Sequence, residues 1–145
     1  MKKMYFRAFF ISIVLAVFVL SPMAAFAEDV IIICNKSVAV NSITKDDLER
    51  IYLGQKNLWD GGGKIEPVML QNELAENFLT TYVGKNGTTF GNYWKKMLFS
   101  GKGNGPKQFA KPKEVVDFVA STQGAIGFVP SGTNSDAVKI VPVSK

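Results

Sequence analysis

Gln71 and Asn72 are the residues of this chain best placed to do chemistry. They follow the apolar run Ile65, Val68, Met69 and Leu70 and precede helix-forming residues that begin at Glu73. After the Gly61-Gly62-Gly63 breaker, such a run reads as a buried strand. A strand that delivers the chain to a helix N-terminus makes a ligand site in an open α/β sheet. Free N–H groups at the helix start favour an anion there. The amides of Gln71 and Asn72 add neutral hydrogen-bonding groups, and Asn35 and Ser37, just after the first strand, supply a second such set. The competing explanation is structural: Asn72 caps its helix and Ser37 ends a strand.

Other chemistries are excluded by residue type. The chain has no His, which removes His-based triads, His-ligated zinc and imidazole acid–base catalysis. Two close acidic pairs exist, Asp46 with Asp47 and Glu73 with Glu76. Both fall at helix starts, where capping and complementarity to the helix dipole account for them. No nucleophile–base pair or metal cluster stands out, so a non-enzymatic protein without metal or cofactor is expected.

The first 27 residues carry a different signal. Lys2, Lys3 and Arg7 form a basic start, Phe9 to Leu20 is apolar, and Ala25-Phe26-Ala27 is a small-x-small site. This is the pattern of a secretory signal peptide cleaved after Ala27, which places the protein in the periplasm or outside the cell. The apolar core is short for an uncleaved membrane span. Residues 28–145 then make one domain, long enough to bury a core without disulfides. The single cysteine, Cys34, lies in the strand-like run that starts at Val30, and a small buried core residue is expected there.

Removing Lys2, Lys3 and Arg7 lowers the formal net charge from +5 to +2, because no acid precedes Glu28. The distribution says more than the total. No acid lies between Glu76 and Glu114, while Lys85, Lys95, Lys96, Lys102, Lys107, Lys111 and Lys113 all do. The stretch predicts a basic face, with an ordinary solvated surface as the plainer alternative. Gly101-Lys102-Gly103-Asn104-Gly105 lacks the Gly-Lys-Ser/Thr ending of a nucleotide P-loop and does not follow a strand. It reads as a flexible basic rim, with Lys102, Lys107 and Lys111 facing an anion or a partner.

The elements that position these groups alternate. Val30 to Cys34 is an unbroken β-branched run, the pattern of a strand covered on both faces, as in parallel sheets. Thr44-Lys45-Asp46-Asp47 opens a helix that Gly54 stops, with Ile43 and Leu48 as a hydrophobic staple. Trp59 in the following turn is expected to plug the core. A helix runs from Asn72 to about Val83, with Gly84 at its close. Phe90, Tyr93, Trp94, Met97 and Leu98 match a helical core stripe, with Lys95 and Lys96 opposite in solvent. Pro112 starts a last helix, and Val115, Phe118 and Val119 are its buried face. Strands follow at Ala125 to Val129, with Gly127 marking close approach, and at Val138 to Val143, with Pro142 suggesting an edge. Strands alternating with helices predict an α/β fold with a small, mostly parallel sheet flanked by helices.

The ordered set Ile51-Tyr-Leu-Gly, Trp59-Asp60, Trp94, Phe99-Ser-Gly-Lys-Gly and Gly124-Ala-Ile-Gly-Phe-Val-Pro130 resembles the short phosphate ABC transporter substrate-binding-like proteins. These are similar to a single lobe of a type 2 periplasmic binding protein, and the match covers nearly all of residues 28–145. The resemblance implies a periplasmic-binding-protein-like fold and a phosphate-like anion as ligand. In full-length phosphate binders the central strand leads into an Arg-x-Asp-Gly-Ser-Gly-Thr type of loop. The matching position here reads Leu70-Gln71-Asn72-Glu73-Leu74, without the Arg and the Ser-Gly-Thr.

Two functions follow as expectations. One is a secreted module that binds a small anion, phosphate-like, for a membrane transporter or sensor. The other is a protein-interaction module that has lost its ligand and docks on a membrane-bound partner through the basic segment. Pairing of two chains to rebuild a two-lobed cleft stays open. Nucleic acid is not an expected partner, because the aromatics sit at core spacing and do not interleave with the basic residues.

Overall fold

The computed structural model describes residues 29–145, so the signal-peptide reading of the first 27 lies outside the described residues. The elements are β1 (Val30–Cys34), β2 (Ile43–Thr44), α1 (Lys45–Tyr52), β3 (Glu66–Leu70), α2 (Glu73–Phe78), α3 (Gly87–Phe99), β4 (Lys107–Phe109), α4 (Pro112–Ser121), β5 (Ala125–Pro130), β6 (Lys139–Val141) and β7 (Val143–Ser144). A π-helical segment, Leu79–Val83, continues α2. The main sheet has the order β4-β3-β5-β1-β6, and β2 pairs with β7 beside it. This is the α/β architecture expected, with a mostly parallel sheet between helices.

Local sequence explains the element boundaries. The Thr44 side chain accepts a hydrogen bond from the Asp47 N–H at 3.0 Å, and Ile43 and Leu48 are both buried, so capping and staple both form. Asn72 Oδ1 accepts from the Leu74 N–H at 2.9 Å and caps α2. The Thr80 hydroxyl donates to the Glu76 carbonyl, a back-bond that competes with the helical ladder where α2 passes into the π-helical segment. Gly84 ends that segment in the left-handed region, φ 70°.

The core lies on both faces of the sheet. Strand β5 is buried from Ala125 to Val129, and its alternate residues serve opposite faces. On one face, Phe128 stacks on Phe78 with ring centroids 4.0 Å apart, and Tyr52 meets the edge of Phe78 at 4.8 Å. The Tyr52 hydroxyl donates to the Val68 carbonyl at 2.9 Å. On the other face α4 presses Val115 and Val119 toward Gly127. A Cβ on Gly127 would stand 2.9 Å from Val68 Cγ2 and 3.0 Å from Val115 Cγ1, so the helix approaches as closely as it does because no side chain intervenes.

Four details differ from the expectation. Strand β1 runs antiparallel to both neighbours, pairing Val30 with Pro130 and Ile32 with Val141. Its unbroken apolar run reports coverage of both faces, and coverage does not set strand direction. The segment expected as a flexible basic rim contains β4, which pairs in parallel with β3 from Val68↔Lys107 to Leu70↔Phe109. The last strand is broken at Pro142, which has no N–H for the ladder. It becomes β6, at the sheet edge, and β7. Finally, the α3 stripe is only partly core. Phe90 is buried, Tyr93 and Trp94 are half-buried, and Leu98 is 56 % exposed.

Cys34 and Trp59 are buried as expected. Burial pushes the Cys34 thiol up to about 12, with Lys139 opposing the shift. The folded state therefore holds the thiol proton more tightly than the unfolded chain, whose thiol titrates near 9.0. This contribution to stability is complete below about pH 9 and declines as pH rises toward about 12. A disulfide-exchange reagent at pH 8 is expected to leave Cys34 untouched in the native protein and to label it in guanidinium. Rapid native labelling would contradict its placement. Gly127→Ala is expected to cost about 1–3 kcal/mol in urea denaturation, because the added methyl overpacks the α4 contact. A neutral result would contradict the close approach.

Candidate functional site

The direction of β1 decides which of the sequence-predicted residues meet. Cys34, at the end of β1, pairs with Ile126 near the start of β5. Glu66, at the start of β3, pairs with Ala125. Asn35 and Ser37 therefore sit where β3 and β5 begin, and Gln71 and Asn72 sit where β3 ends. The five residues of β3 separate the two sets by about 17 Å. The four residues do not form one site, contrary to the shared edge that a parallel β1 implies.

Asn35 is fully engaged by the fold. Its side-chain amide donates to the carbonyls of Val119 at 2.8 Å and Ala120 at 3.0 Å, at the end of α4. Its Oδ1 accepts from the Ser37 N–H at 2.9 Å, and its own N–H donates to Ala125 O. Ser37 Oγ accepts from the Gly124 N–H at 3.4 Å. A cleft of about 440 Å³ opens beside them, lined by Ser37, Trp59, Gly61 to Gly63 and Gly124 among others. The Trp59 indole N–H donates to the Gly124 carbonyl at 3.1 Å and so acts as the expected plug.

At the other end, Gln71 is drawn sideways to β4. Its N–H donates to Phe109 O, and its side-chain amide donates to Gln108 Oε1 at 2.6 Å. Asn72 spends its Oδ1 on the cap. The N–H groups of Asn72 and Glu73 have no acceptor among the described residues. Glu73 and Glu76 add negative charge to that first turn, and Glu76 Oε2 accepts from the Gly87 N–H at 2.8 Å.

The basic rim also divides. Lys102 and Lys107 line a cleft of about 490 Å³ together with Lys56, Lys64, Glu66, Trp94, Phe118 and the turn Gly103 to Pro106. Lys111 lies past the far end of β4, where its N–H donates to Glu114 Oε2 at 3.1 Å as α4 begins. Lys56 is held by Asp47 and Asp60, each at 3.0 Å, and Lys64 by Glu66 at 2.7 Å. Burial works to lower the Lys56 pKa, and the hydrogen bonds to Asp47 and Asp60 outweigh it, so the group ends above its ordinary value. Neither Lys102 nor Lys107 is in an ion pair among the described residues. The Lys107 ammonium lies 5.4 Å from the Phe109 ring centroid and 5.0 Å from that of Phe118.

This cleft is the feature that sequence reading missed. Its parts come from the turn after α1, the start of β3, the end of α3 and the entry to β4, and no local pattern joins them. The Gly103–Gly105 glycines followed by Pro106 were the available signal, and their meaning depends on Trp94. The Trp94 indole N–H donates to Tyr52 O at 3.1 Å, and the neighbouring Tyr93 hydroxyl donates to Leu53 O at 2.7 Å. Among the described residues no group of His, Cys, Asp and Glu could hold a metal ion.

No family model and no curated protein matches the chain. Solved structures do. An ABC-type phosphate transport receptor from Vibrio cholerae is 18 % identical at a TM-score of 0.56, over 81 % of this chain and 47 % of its own. PstS from Borrelia burgdorferi is 16 % identical at 0.62, over 81 % and 48 %. A protein from Clostridium perfringens, described as a phosphate ABC transporter substrate-binding protein and solved with bound phosphate, is 18 % identical at 0.62, over 80 % and 45 %. The described chain spans a little under half the length of each of these three. Its fold is that of one half of a phosphate-transport substrate-binding protein, in agreement with the resemblance drawn from the sequence.

Proposed function

We propose that the protein is an exported, non-enzymatic solute-binding-like module that takes a small anion such as phosphate for a membrane transporter or sensor. The observation that carries this reading is the cleft bearing Lys102 and Lys107, two cations without carboxylate partners among the described residues, on a stretch that contains no acid. The fold shared with phosphate-binding proteins supports it. Export to the periplasm rests on the N-terminal signal pattern. Gln71 and Asn72 lie past the other end of β3, outside that cleft, and are left out of this anion site. Ser37 faces a different cleft and Asn35 is spent on the end of α4, so both are left out of this anion site.

A single lobe leaves its ligand partly in water, where charge–charge attraction is weak and screened by salt. Calorimetric titration with inorganic phosphate at low ionic strength is expected to show binding that weakens as sodium chloride is added. Absence of heat, with no thermal shift at millimolar phosphate, would remove the anion reading.

One observation favours a docking role as a second reading. Phe99 is 89 % exposed and Leu98 56 % exposed at the end of α3, beside Lys95, Lys96 and Lys102. Apolar side chains ringed by cations suit a partner protein with an apolar, acidic face. Crosslinking in membranes is expected to recover a partner with the native protein and to lose it with Phe99→Ser. Recovery unchanged by that substitution counts against this face, and sedimentation distinguishes a second copy of the chain from a different protein.

A further inference from the structure

The cleft beside Lys102 and Lys107 has two unlike sides. On the first, Lys102 and Lys107 flank Gly103, Asn104 and Gly105, whose backbone N–H groups have no acceptor among the described residues. Unspent backbone N–H groups on a glycine-rich segment between two lysines are donors from which an oxyanion can accept. On the second, Val68, Trp94, Met97 and Phe118 present apolar surface. The remaining lysines of the rim, Lys56 and Lys64, are already paired with carboxylates. The cleft thus has one cationic pole and one apolar wall.

The cationic pole is held in place by packing. A Cβ on Gly105 would stand 3.0 Å from Trp94 Cγ, and one on Gly54 would stand 2.8 Å from its Cη2. The indole therefore packs closely against two glycines, Gly54 at its far edge and Gly105 at its five-membered ring, and its N–H is tied to Tyr52 O. The expectation of a flexible rim gives way here to a turn seated on an aromatic ring. The ammonium of Lys107 rests over Phe109 and Phe118 at the same time. A volume of about 490 Å³ is that of a small organic ligand site, far larger than a bare phosphate ion requires.

We propose that this cleft binds a small phosphate monoester, with its phosphoryl oxygens on Lys102, Lys107 and the Gly103–Gly105 amides and its organic group against Trp94 and Phe118. This rests on the anion reading above and adds its location and ligand class.

The test titrates the protein with phenyl phosphate and, separately, with inorganic phosphate, by calorimetry and by Trp fluorescence. Phenyl phosphate is expected to bind at least about tenfold more tightly than inorganic phosphate, because only the ester reaches the apolar wall. It is expected to perturb the indole emission. Lys102→Gln with Lys107→Gln should remove most of that affinity. Lys36→Gln with Lys45→Gln, an equal loss of charge at exposed positions elsewhere, should leave it unchanged. All four lysines are exposed, so thermal unfolding should be the same for both pairs. Inorganic phosphate binding as tightly as the ester, or ester binding that survives Lys102→Gln with Lys107→Gln, would overturn this proposal and leave the anion reading standing. Failure of both ligands to bind would overturn both.

Discussion

The ladder between β1 and β5 runs through five pairs, from Val30↔Pro130 to Cys34↔Ile126, and joins the first described strand to the last third of the chain. Because β1 enters antiparallel, its end lies beside the start of β5. Asn35 secures that arrangement. Its side chain closes the carbonyl end of α4 while its backbone continues the bonding to Ala125. A buried amide costs free energy unless its donors and acceptors are met, and here every one is. The polar residue nearest the end of β1 is thereby consumed in structure, and the ligand question moves elsewhere on the lobe.

Electrostatics then distinguishes three of the places where a ligand could sit. The cleft beside Ser37 has a plugged wall and a paired Lys64–Glu66 at its margin. The end of β3 offers two backbone N–H groups but also Glu73, and its side-chain amides are engaged with Gln108 and Leu74. Of these three, the cleft formed with Gly103–Gly105 combines cations unpaired among the described residues with unspent donors. Its apolar wall, including Trp94, lets burial of an organic group add to a charge interaction that water would otherwise weaken. Anion chemistry and aromatic packing therefore meet at Trp94, which belongs to the core stripe and to the cleft together.

Much of this fold could be read from residue order. The Thr44 cap, the Asn72 cap, the αL glycine at Gly84, the buried Cys34 and Trp59, and the close approach at Gly127 all follow from local chemistry that acts within a few residues. What could not be read depended on partners distant in sequence. Burial on both faces of Val30 to Cys34 says nothing about strand direction, so it cannot show that Asn35 and Gln71 lie at opposite ends of β3. Lys107-Gln108-Phe109 is too short to announce a strand, and it becomes one only because β3 offers a free edge. The α3 stripe has the periodicity of a core helix through Leu98, yet the lobe covers only its first part. The seat of the glycine turn depends on Trp94, which no spacing rule links to Gly54 and Gly105.

The central claim is that the anion is received at the cationic turn between α3 and β4. Amide chemical shifts, followed residue by residue as inorganic phosphate is added, test it most directly. The largest changes are expected at Lys102 to Lys107, with little change at Asn72 and Glu73 past the other end of β3. Changes confined to Ser37, Gly61 to Gly63 and Gly124, or none at all, would contradict it.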